Sequence, residues 1–529
     1  MTTAQDIART FYVSTAIPYV NAAPHVGFAF EAILADVLAR YHRLRGDIVH
    51  LQSGTDDNSL KNVQAAERVG VTPDELVNAH AQRFQSLGAT LDLTYDDFVR
   101  TSLDERHREG VAALWQACAG AGDLYKKAYR GLYCVGCERF VAPLELQDGR
   151  CPEHGRAPDP IEEENWFFRL SRYRDRIAAA IAADDLRIVP QSRRNEVLAY
   201  LGQGLEDISV SRAFTRARGW GIPVPGDPSQ AVYVWFDALG NYVNSLGWYR
   251  GAPAYERFWI GGGRRVHVIG KGILRFHAVH WPAILFSAGL PLPTDLLVHG
   301  YLTVDGTKIG KSLGNAVDPE ELVDRFGVDA VRYYLLRHQH PFLDGDFSAS
   351  RLQAARDAEL ADQLGNLLRR TVVLVQRHFS GVLPGPGAPE PVDTRLREQV
   401  AALAGRLDEC LEGYVVHEAL AAIFEVVTAT NRYLESTAPW ALARGLDDPR
   451  PEERSRAGQR LATVLFHAAE ALRIVGLALT PFVPGTSAAV CAQLSQEPAQ
   501  AGDWTRLGWG RGPWERPLLG GKVLFPKVK

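Results

Sequence analysis

The chain opens with an apolar strand pattern, Phe11-Tyr12-Val13, followed by a loop that leads to Pro24-His25-Val26-Gly27-Phe28, where a helical run begins. The helical run extends to about Arg45, and a second strand pattern, Ile48-Val49-His50-Leu51, leads into Gly54-Thr55-Asp56-Asp57. A strand, a helix and a strand in this order predict the βαβ opening of a doubly wound parallel sheet. In such sheets, ligands bind at the carboxyl ends of the strands.

A second informative stretch, Lys308-Ile309-Gly310-Lys311-Ser312, lies far along the chain in a glycine-flanked loop. At the start of the first helix, His25 and Gly27 offer a nucleotide close approach and backbone N–H groups. The two lysines of the loop supply mobile positive charge for its phosphates. Together the two stretches predict an ATP site built from both ends of a split fold.

The pattern of predicted helices and strands changes between these stretches, which predicts an inserted domain. Helical patterns fill most of residues 60–120, whereas residues 120–220 carry short strand patterns, turn residues and a cysteine cluster. The α/β pattern of the opening returns at residues 231–236, 266–270 and 296–300. From about residue 355 onward, apolar residues recur at helical spacing, which predicts an antiparallel helical bundle.

Composition bounds the class of protein. The 529 residues with 46% hydrophobic content are enough for roughly three to four domains with sizeable cores. No run of about 18 apolar residues appears, so we expect no membrane association and a cytoplasmic location. The net charge of −4 gives no global basic field, so a nucleic-acid partner would be held by local patches.

Three of the six cysteines, with one histidine, have the spacing of zinc ligands: Cys134, Cys137, Cys151 and His154. The two pairs flank a short hairpin-like segment that ends Gln147-Asp148-Gly149-Arg150. Four soft ligands in two such pairs match tetrahedral Zn²⁺ with no open position, so we expect a structural ion. Coincidental buried thiols are the alternative, as expected for the remaining Cys118, Cys410 and Cys491.

These features predict an α/β fold, in which a split Rossmann-type nucleotide-binding domain carries an inserted zinc-knuckle domain and a C-terminal antiparallel α-helical bundle. The chain resembles class I aminoacyl-tRNA synthetases, whose usual motifs are HIGH and KMSKS, and among them the methionyl-tRNA synthetase family. The corresponding stretches here are His25-Val26-Gly27-Phe28 and Lys308-Ile309-Gly310-Lys311-Ser312, so both motifs are altered.

The resemblance implies an ATP site with Mg²⁺ and three catalytic residues, His25, Lys308 and Lys311. The ATP contacts that it implies are Asn21, His25, Gly27, Lys308, Lys311 and Ser312. At Phe28 the family has a second histidine that donates to the phosphates, and a phenyl ring cannot donate. Weakened adenylation and a differently shaped pocket are both consistent with this change.

Two further departures from the family lie beside the same site. The usual Asp-Glu-His-Gly appears as Asp56-Asp57-Asn58-Ser59, and the usual Lys-Asp pair appears as Lys271-Gly272. These changes favour a divergent second copy of the enzyme, tolerant of an inhibitor or dedicated to a specialised pathway.

An amino-acid pocket is indicated by Ile273, His277 and Trp281, which fall at i, i+4 and i+8 and so share one helix face. An aromatic and aliphatic slot suits a linear thioether, which is flexible and polarizable. The resemblance implies a methionine site in which Asp56 reads the ammonium group. Its members are Ala16, Ile17, Tyr19, Asp56, Val234, Trp235, Ala238, Tyr242, Ile273, His277 and Trp281.

The helical region carries candidate residues for a tRNA anticodon. Asn366 and Arg370 lie one helical turn apart, and Trp440 follows Ala438-Pro439. The resemblance implies that these three residues read a CAU anticodon, since stacking and base-edge hydrogen bonds are how single-stranded loops are recognised.

The resemblance therefore implies a methionine–tRNA ligase that acts as a monomer on methionine, ATP and tRNA. The expected domains are residues 1–118 and 223–325 for the two Rossmann halves, 119–222 for the insertion, 326–355 for a stem-contact region and 356–529 for the anticodon-binding helices and tail. One alternative is an enzyme that passes its aminoacyl adenylate to a non-tRNA acceptor in a specialised pathway. Another is a non-catalytic protein that binds tRNA or methionine.

Overall fold

The computed structural model describes residues 9–134, 139–152, 155–304, 306–309, 316–520 and 523–526. Its strands are β1 Thr10–Thr15, β2 Ile48–Thr55, β3 Asp97–Arg100, β4 Leu124–Cys134, β5 Arg139–Val141, β6 Asp159–Phe168, β7 Arg187–Val189, β8 Ile208–Ser209, β9 Ser211–Ala213, β10 Pro223–Val224, β11 Asp227–Val232, β12 Arg264–Gly270, β13 Asp295–His299, β14 Leu302–Val304, β15 Thr307–Lys308 and β16 Gly345–Phe347.

The α-helices alternate with these strands in the first part of the chain and dominate the last part. They are α1 Val26–Arg45, α2 Leu60–Val69, α3 Pro73–Thr90, α4 Glu105–Gly120, α5 Arg174–Ala182, α6 Gln191–Gly202, α7 Val234–Asn244, α8 Pro253–Tyr255, α9 Trp281–Ser287, α10 Pro319–Phe326, α11 Val328–Arg337, α12 Ala349–Ala355, α13 Asn366–Phe379, α14 Pro391–Ala401, α15 Leu403–Glu412, α16 Val416–Thr437, α17 Pro439–Arg444, α18 Pro451–Ala478 and α19 Pro484–Gln493.

A six-stranded parallel sheet forms the centre, in the order β3-β2-β1-β12-β13-β7. The strand order reverses between β1 and β12, which is the point where doubly wound sheets bind their ligands. Strand β1 is buried along nearly its whole length and pairs with β2 on one side and β12 on the other. The predicted βαβ opening and parallel sheet are therefore confirmed.

The apolar run at residues 231–236 spans the end of a strand and the start of a helix. Strand β11 ends at Val232 in a small antiparallel sheet, and helix α7 begins two residues later at Val234. Helix α7 is buried on almost all sides, and a fully buried helix segment has the same apolar pattern as a buried strand. The run therefore contains both a strand end and a helix start, as expected for an α/β pattern.

The stretch predicted as an insertion is built around a long antiparallel pair, β4 and β6. Strand β7 falls within the same stretch, yet it pairs with β13 at the edge of the central sheet. Strand β7, which lies within residues 119–222, thus belongs to the central sheet. The sequence did not reveal this strand because three residues are too few to show periodicity. The division into domains otherwise stays a prediction.

The chain from residue 349 onward is helical, with α16 and α18 packed together at its centre. Among the described residues, helix α18 is long and apolar enough to cross a membrane, but 94% of its most apolar stretch is buried inside the protein. Such burial is that of a core helix.

Tyr414, between α15 and α16, holds the helical region against the amino-terminal edge of the sheet. Its buried ring lies 5.1 Å from the guanidinium groups of both Arg187 and Arg264. Arg264 also donates hydrogen bonds to Asp295 (3.1 Å) and Glu412 (2.6 Å). This contact lies at the edge of the sheet opposite the carboxyl ends of the strands, because Arg187, Arg264 and Asp295 are the first residues of β7, β12 and β13.

Candidate active site

A cavity of about 380 Å³ opens at the carboxyl ends of β1 and β12, beside the start of helix α1. It lies at the point where the strand order of the sheet reverses. Its described lining is Ala16, Ile17, Pro18, Tyr19, His25, Gly27, Phe28, Glu31, Asp56, Trp235, Ala238, Leu239, Tyr242, Gly270, Gly272, Ile273, His277, His299, Gly300, Tyr301, Leu302 and Ile309.

The start of helix α1 is shaped by His25 and Gly27. His25 caps the helix, since its Nδ1 accepts a hydrogen bond from the N–H of Gly27 at 3.1 Å. A Cβ at position 27 would lie 2.9 Å from Cε1 of His25, so the cap requires glycine here. The N–H of Val26 donates to the carbonyl of Val317 at 3.0 Å, which joins this helix start to the segment that follows the lysine loop.

Phe28 is accommodated as an apolar residue of the cavity wall. Its ring meets Phe84 of helix α3 edge to face, with ring centroids 4.9 Å apart, and the residue is 9% exposed. The wall therefore presents a hydrophobic surface at this point and no hydrogen-bond donor. Weakened adenylation and a differently shaped pocket both stay predictions.

Glu31 and His299 form a buried pair that the sequence analysis did not single out. One carboxylate oxygen of Glu31 accepts from the N–H of Ala16 at 2.8 Å, and the other lies 2.8 Å from Nε2 of His299. Nδ1 of His299 lies 2.8 Å from the carbonyl of Gly300. The pair ties the end of β1 to the end of β13. The available signal was a glutamate inside the otherwise apolar first half of helix α1.

Asp56 is placed at the cavity by contacts of its backbone. Its N–H donates to the carbonyl of Pro18 at 2.8 Å, and its own carbonyl accepts from the side chain of Asn62 at 3.0 Å. Asp56 and Tyr19 form a short parallel bridge, so their side chains start from neighbouring points of the cavity wall.

Asn58, which replaces the histidine usual in the family, binds the start of helix α7. Its amide donates to Asp237 at 2.8 Å, and the other oxygen of Asp237 lies 2.5 Å from Nε2 of His107. Asp237 and His107 are fully buried. Asn58 therefore helps to position helix α7, which carries four cavity residues.

The apolar slot of the cavity is formed by Trp235, Tyr242, Ile273 and His277. Trp235 stacks on Phe276 with ring centroids 3.8 Å apart. Nδ1–H of His277 donates to the carbonyl of Ile273 at 3.0 Å, so Nε2 accepts from the hydroxyl of Tyr242 at 2.8 Å. Burial lowers the pKa of His277 to about 4, which keeps the imidazole neutral.

A second buried histidine, His267, supports this slot from behind. Trp281 donates its indole N–H to Nε2 of His267 at 3.3 Å, and Nδ1 lies 2.7 Å from the hydroxyl oxygen of Ser14. The Tyr242 ring lies against the imidazole, with centroids 4.0 Å apart. Burial lowers the pKa of His267 well below its usual range, and His277 adds to this effect.

Most of the predicted methionine-site residues line the cavity: Ala16, Ile17, Tyr19, Asp56, Trp235, Ala238, Tyr242, Ile273 and His277. Val234 and Trp281 are buried outside the lining. Trp281 lies two helical turns beyond Ile273, so it contacts the back of the slot instead of its surface. The binding roles of all these residues stay predictions.

The predicted ATP residues are only partly described. His25 and Gly27 line the cavity, whereas Asn21 lies outside its lining. The backbone of Lys308 ends the short strand β15, but its side chain lies outside the described part of the chain, as do Lys311 and Ser312. Cavity-lining residues that the sequence analysis did not single out include Glu31, Leu239, His299 and Tyr301.

A second cavity, of about 820 Å³, lies in the helical region. It brings together Asn366 and Arg370, and Arg370 donates to the side-chain oxygen of Asn431 at 2.5 Å. Trp440 is 45% exposed but lies outside the lining of this cavity. The remaining described lining is Asp362, Gln363, Arg369, Val373, Thr428, Asn431, Arg432 and Glu435.

Two of the four predicted zinc ligands are described. Cys134, at the end of β4, and Cys151 are buried in one small cluster with Val141. Cys137 and His154 lie outside the described residues. Within the described part of the chain, no group of three or more possible metal ligands comes together.

This fold and cavity define a class I tRNA synthetase. A sequence profile described as class I (M) tRNA synthetases matches residues 11–156 and 136–372. The methionine–tRNA ligase of Caldanaerobacter subterraneus subsp. tengcongensis is 39% identical over 98% of this chain and 79% of its own length. That of Brucella suis biovar 1 is 40% identical over 90% of this chain and 89% of its own.

Solved structures give the same result. Mycobacterium tuberculosis methionyl-tRNA synthetase in complex with methionyl-adenylate superposes with a TM-score of 0.92, at 36% identity over 98% of this chain and 100% of that chain. The free form of the same enzyme gives a TM-score of 0.85. The chain belongs to the methionine–tRNA ligase family.

Proposed function

We propose that this protein is a methionine–tRNA ligase, which activates methionine with ATP and transfers it to tRNA. The observation that carries the proposal is the single cavity in which the apolar slot around Trp235 and His277 adjoins the capped start of helix α1. Relatives and solved structures over nearly the whole chain bear the same name.

The methionine side chain enters the slot between Trp235, Tyr242 and Ile273. A thioether has no strong hydrogen-bonding group, so it suits walls whose polar atoms already bond to each other, as those of Tyr242 and His277 do. Asp56 carries the negative charge that complements the ammonium group of the amino acid. The carboxylate is thereby directed toward the start of helix α1.

Activation needs little acid–base chemistry from the protein. A carboxylate oxygen of methionine attacks the α-phosphorus of ATP, the bond from this phosphorus to the oxygen that bridges to the β-phosphate breaks, and pyrophosphate leaves. A Mg²⁺ ion bound with ATP would neutralise part of the phosphate charge. The backbone N–H groups and the positive end of the α1 dipole stabilise the phosphate charge. Lys308 and Lys311 supply further positive charge, and His25 holds the helix start in place.

In the second step, a terminal ribose hydroxyl of tRNA attacks the carbonyl carbon of the adenylate, and AMP leaves. For recognition of a CAU anticodon we propose Asn366 and Arg370 in the second cavity, together with the exposed ring of Trp440. Amide and guanidinium groups can bond base edges while an exposed indole stacks on a base.

A structural Zn²⁺ held by Cys134, Cys137, Cys151 and His154 is part of the proposal. The burial of Cys134 and Cys151 in one small cluster fits two members of a tetrahedral site. We expect purified protein to contain one equivalent of zinc by elemental analysis. Cys151→Ser should lose it and Cys118→Ser should keep it, since Cys118 is buried elsewhere, on helix α4. Equal zinc contents in the two variants would refute the site.

The proposed reaction is tested by ATP–pyrophosphate exchange with each of the twenty amino acids, followed by acylation of a methionine tRNA transcript. We expect exchange with methionine, and charging that fails when the CAU anticodon is altered. Arg370→Met should reduce charging but spare exchange, whereas Arg397→Met, at an exposed position of α14, should spare both. Exchange without charging would indicate a non-tRNA acceptor, and no exchange would indicate a binding protein.

A further inference from the structure

The turn after β12 runs alongside the segment that follows β13. Gly270 pairs with His299 in the parallel register of the two strands. Two residues further along each segment, Gly272 faces Tyr301: a Cβ at position 272 would lie 1.9 Å from the hydroxyl oxygen of Tyr301. The hydroxyl therefore occupies the place where a side chain at position 272 would begin.

Tyr301 is fixed in this place from outside the cavity. Its N–H donates to Asp344 at 2.9 Å. The ammonium of Lys271 donates to the other oxygen of Asp344 at 2.6 Å and lies 4.7 Å from the centroid of the Tyr301 ring. The ring is 37% exposed and lines the cavity together with Gly272. Its hydroxyl thus lies at the cavity mouth, at the carboxyl end of β12.

Several polar side chains of the cavity bond to one another or hold its wall in place. The hydroxyl of Tyr242 and His277 bond to each other, and so do Glu31 and His299. His25 caps helix α1.

The phosphates of a bound nucleotide are drawn to the start of helix α1, and the amino acid takes the slot around Trp235. The glycine turn lines the same cavity as the helix start and the slot. A neutral group that both donates and accepts, such as the hydroxyl of Tyr301, suits a sugar hydroxyl.

We propose that the hydroxyl of Tyr301 hydrogen-bonds a ribose hydroxyl of ATP and of the adenylate, in the space left by Gly272. In doubly wound folds a side chain near a strand end commonly holds the ribose, and here the neighbouring segment provides that group because position 272 has no side chain. This inference rests on the proposed function and adds a determinant of nucleotide specificity to it.

The test compares ATP, 2′-deoxy-ATP and 3′-deoxy-ATP in methionine-dependent exchange. We expect the wild type to show a KM for one of the deoxy analogues that is about 5- to 30-fold higher than that for ATP, as for loss of one hydrogen bond. Tyr301→Phe should raise the KM for ATP by a similar factor and leave that of the analogue unchanged, so that the preference disappears. The KM for methionine should not change.

Two further variants separate this contact from general damage. Gly272→Ala should displace the hydroxyl and abolish the same preference, and combining it with Tyr301→Phe should cause little further loss. Tyr249→Phe is the matched control, because its hydroxyl bonds Glu109 on the surface at 2.8 Å. The inference is overturned if Tyr301→Phe raises the KM of all three nucleotides equally or of none.

The proposed function and this inference can fail separately. Absence of methionine-dependent exchange in the wild type would refute the proposed function alone. Binding of the same three nucleotides, measured by calorimetry, would then decide the ribose contact: loss of discrimination in Tyr301→Phe supports it, and retained discrimination refutes it.

Discussion

The surroundings of several cavity side chains determine their protonation state or their position. His277 is neutral because it is buried. One ring nitrogen donates to the carbonyl of Ile273, and the other accepts from the hydroxyl of Tyr242. The Phe28 ring is held in the cavity wall by its edge-to-face contact with Phe84. Each of these residues permits a direct test.

Acid should destabilise the protein through His277. Its pKa falls from an ordinary value near 6.5 to about 4 in the folded state, so between these values the unfolded chain binds more protons and stability decreases as the pH falls. From about pH 7.5 to pH 5, this one group should remove about 2 kcal/mol from the free energy of unfolding.

Urea unfolding of the wild type and of His277→Gln at both pH values measures this effect. The variant should show the shallower dependence on pH, with part remaining because His267 is also buried and neutral. Parallel pH profiles for the two proteins would contradict the assignment.

Phe28→His should raise the kcat of methionine-dependent exchange about 10-fold or more. An imidazole at this point of the cavity can donate to phosphate oxygens as their charge develops, which a phenyl ring cannot do. Phe28→Leu, which is apolar and removes the ring contact with Phe84, is the control and should not raise kcat. An increase in both variants would point to steric relief.

The start of helix α1 is the element on which the chemistry depends most. Its position is fixed by the His25 cap, by the absence of a side chain at Gly27 and by the backbone bond from Val26 to Val317. Helix α7 and the π-helical turn Phe276–His280 then bring the slot residues to the same cavity.

Gly27→Ala should reduce the kcat of exchange at least about 10-fold while the protein remains folded. The new methyl group would lie 2.9 Å from His25 and displace its imidazole from the helix start, where we propose that the N–H groups bind the phosphates. Gly120→Ala, at the end of helix α4 where a Cβ has open space, should leave exchange unchanged. Equal activity of both variants would exclude the cap as a positioning device.

In the molecule as a whole, Tyr414 joins the helical region to the sheet at the edge opposite the cavity of the candidate active site. Arg187 and Arg264 enclose its ring, and Arg264 also binds Asp295, which is 3% exposed. This contact fixes the distance between the two cavities without touching either of them.

Tyr414→Ala should therefore lower the kcat/KM of tRNA charging while exchange stays within about two-fold of the wild type. Loss of a fully buried aromatic side chain costs about 3 kcal/mol, so calorimetry should show the variant unfolding at lower temperature. Tyr414→Phe keeps the ring between the arginines and should show a smaller loss. A proportional decrease in charging and exchange would mean that the contact supports the active cavity directly.

Much of the fold and of the cavity could be predicted from the sequence because the signals were local. The strand and helix periods at residues 11–51 predicted β1, α1 and β2, and the motif at His25 marked the ligand-binding end of the sheet. The helical spacing of Ile273, His277 and Trp281 predicted an apolar wall with an imidazole, and Ile273 and His277 do line the cavity, whereas Trp281 lies behind it. Trp235 and Tyr242, which the resemblance implied, line the same cavity.

The tertiary structure alone decided features that depend on contacts between distant segments. Strand β7 joins the central sheet by pairing with β13. Glu31 pairs with His299, which lies far away in the sequence. Tyr301 takes the place of a side chain at Gly272 because two parallel segments run in register. Periodicity and composition report which face of an element is buried, but not which side chain of another element meets it there.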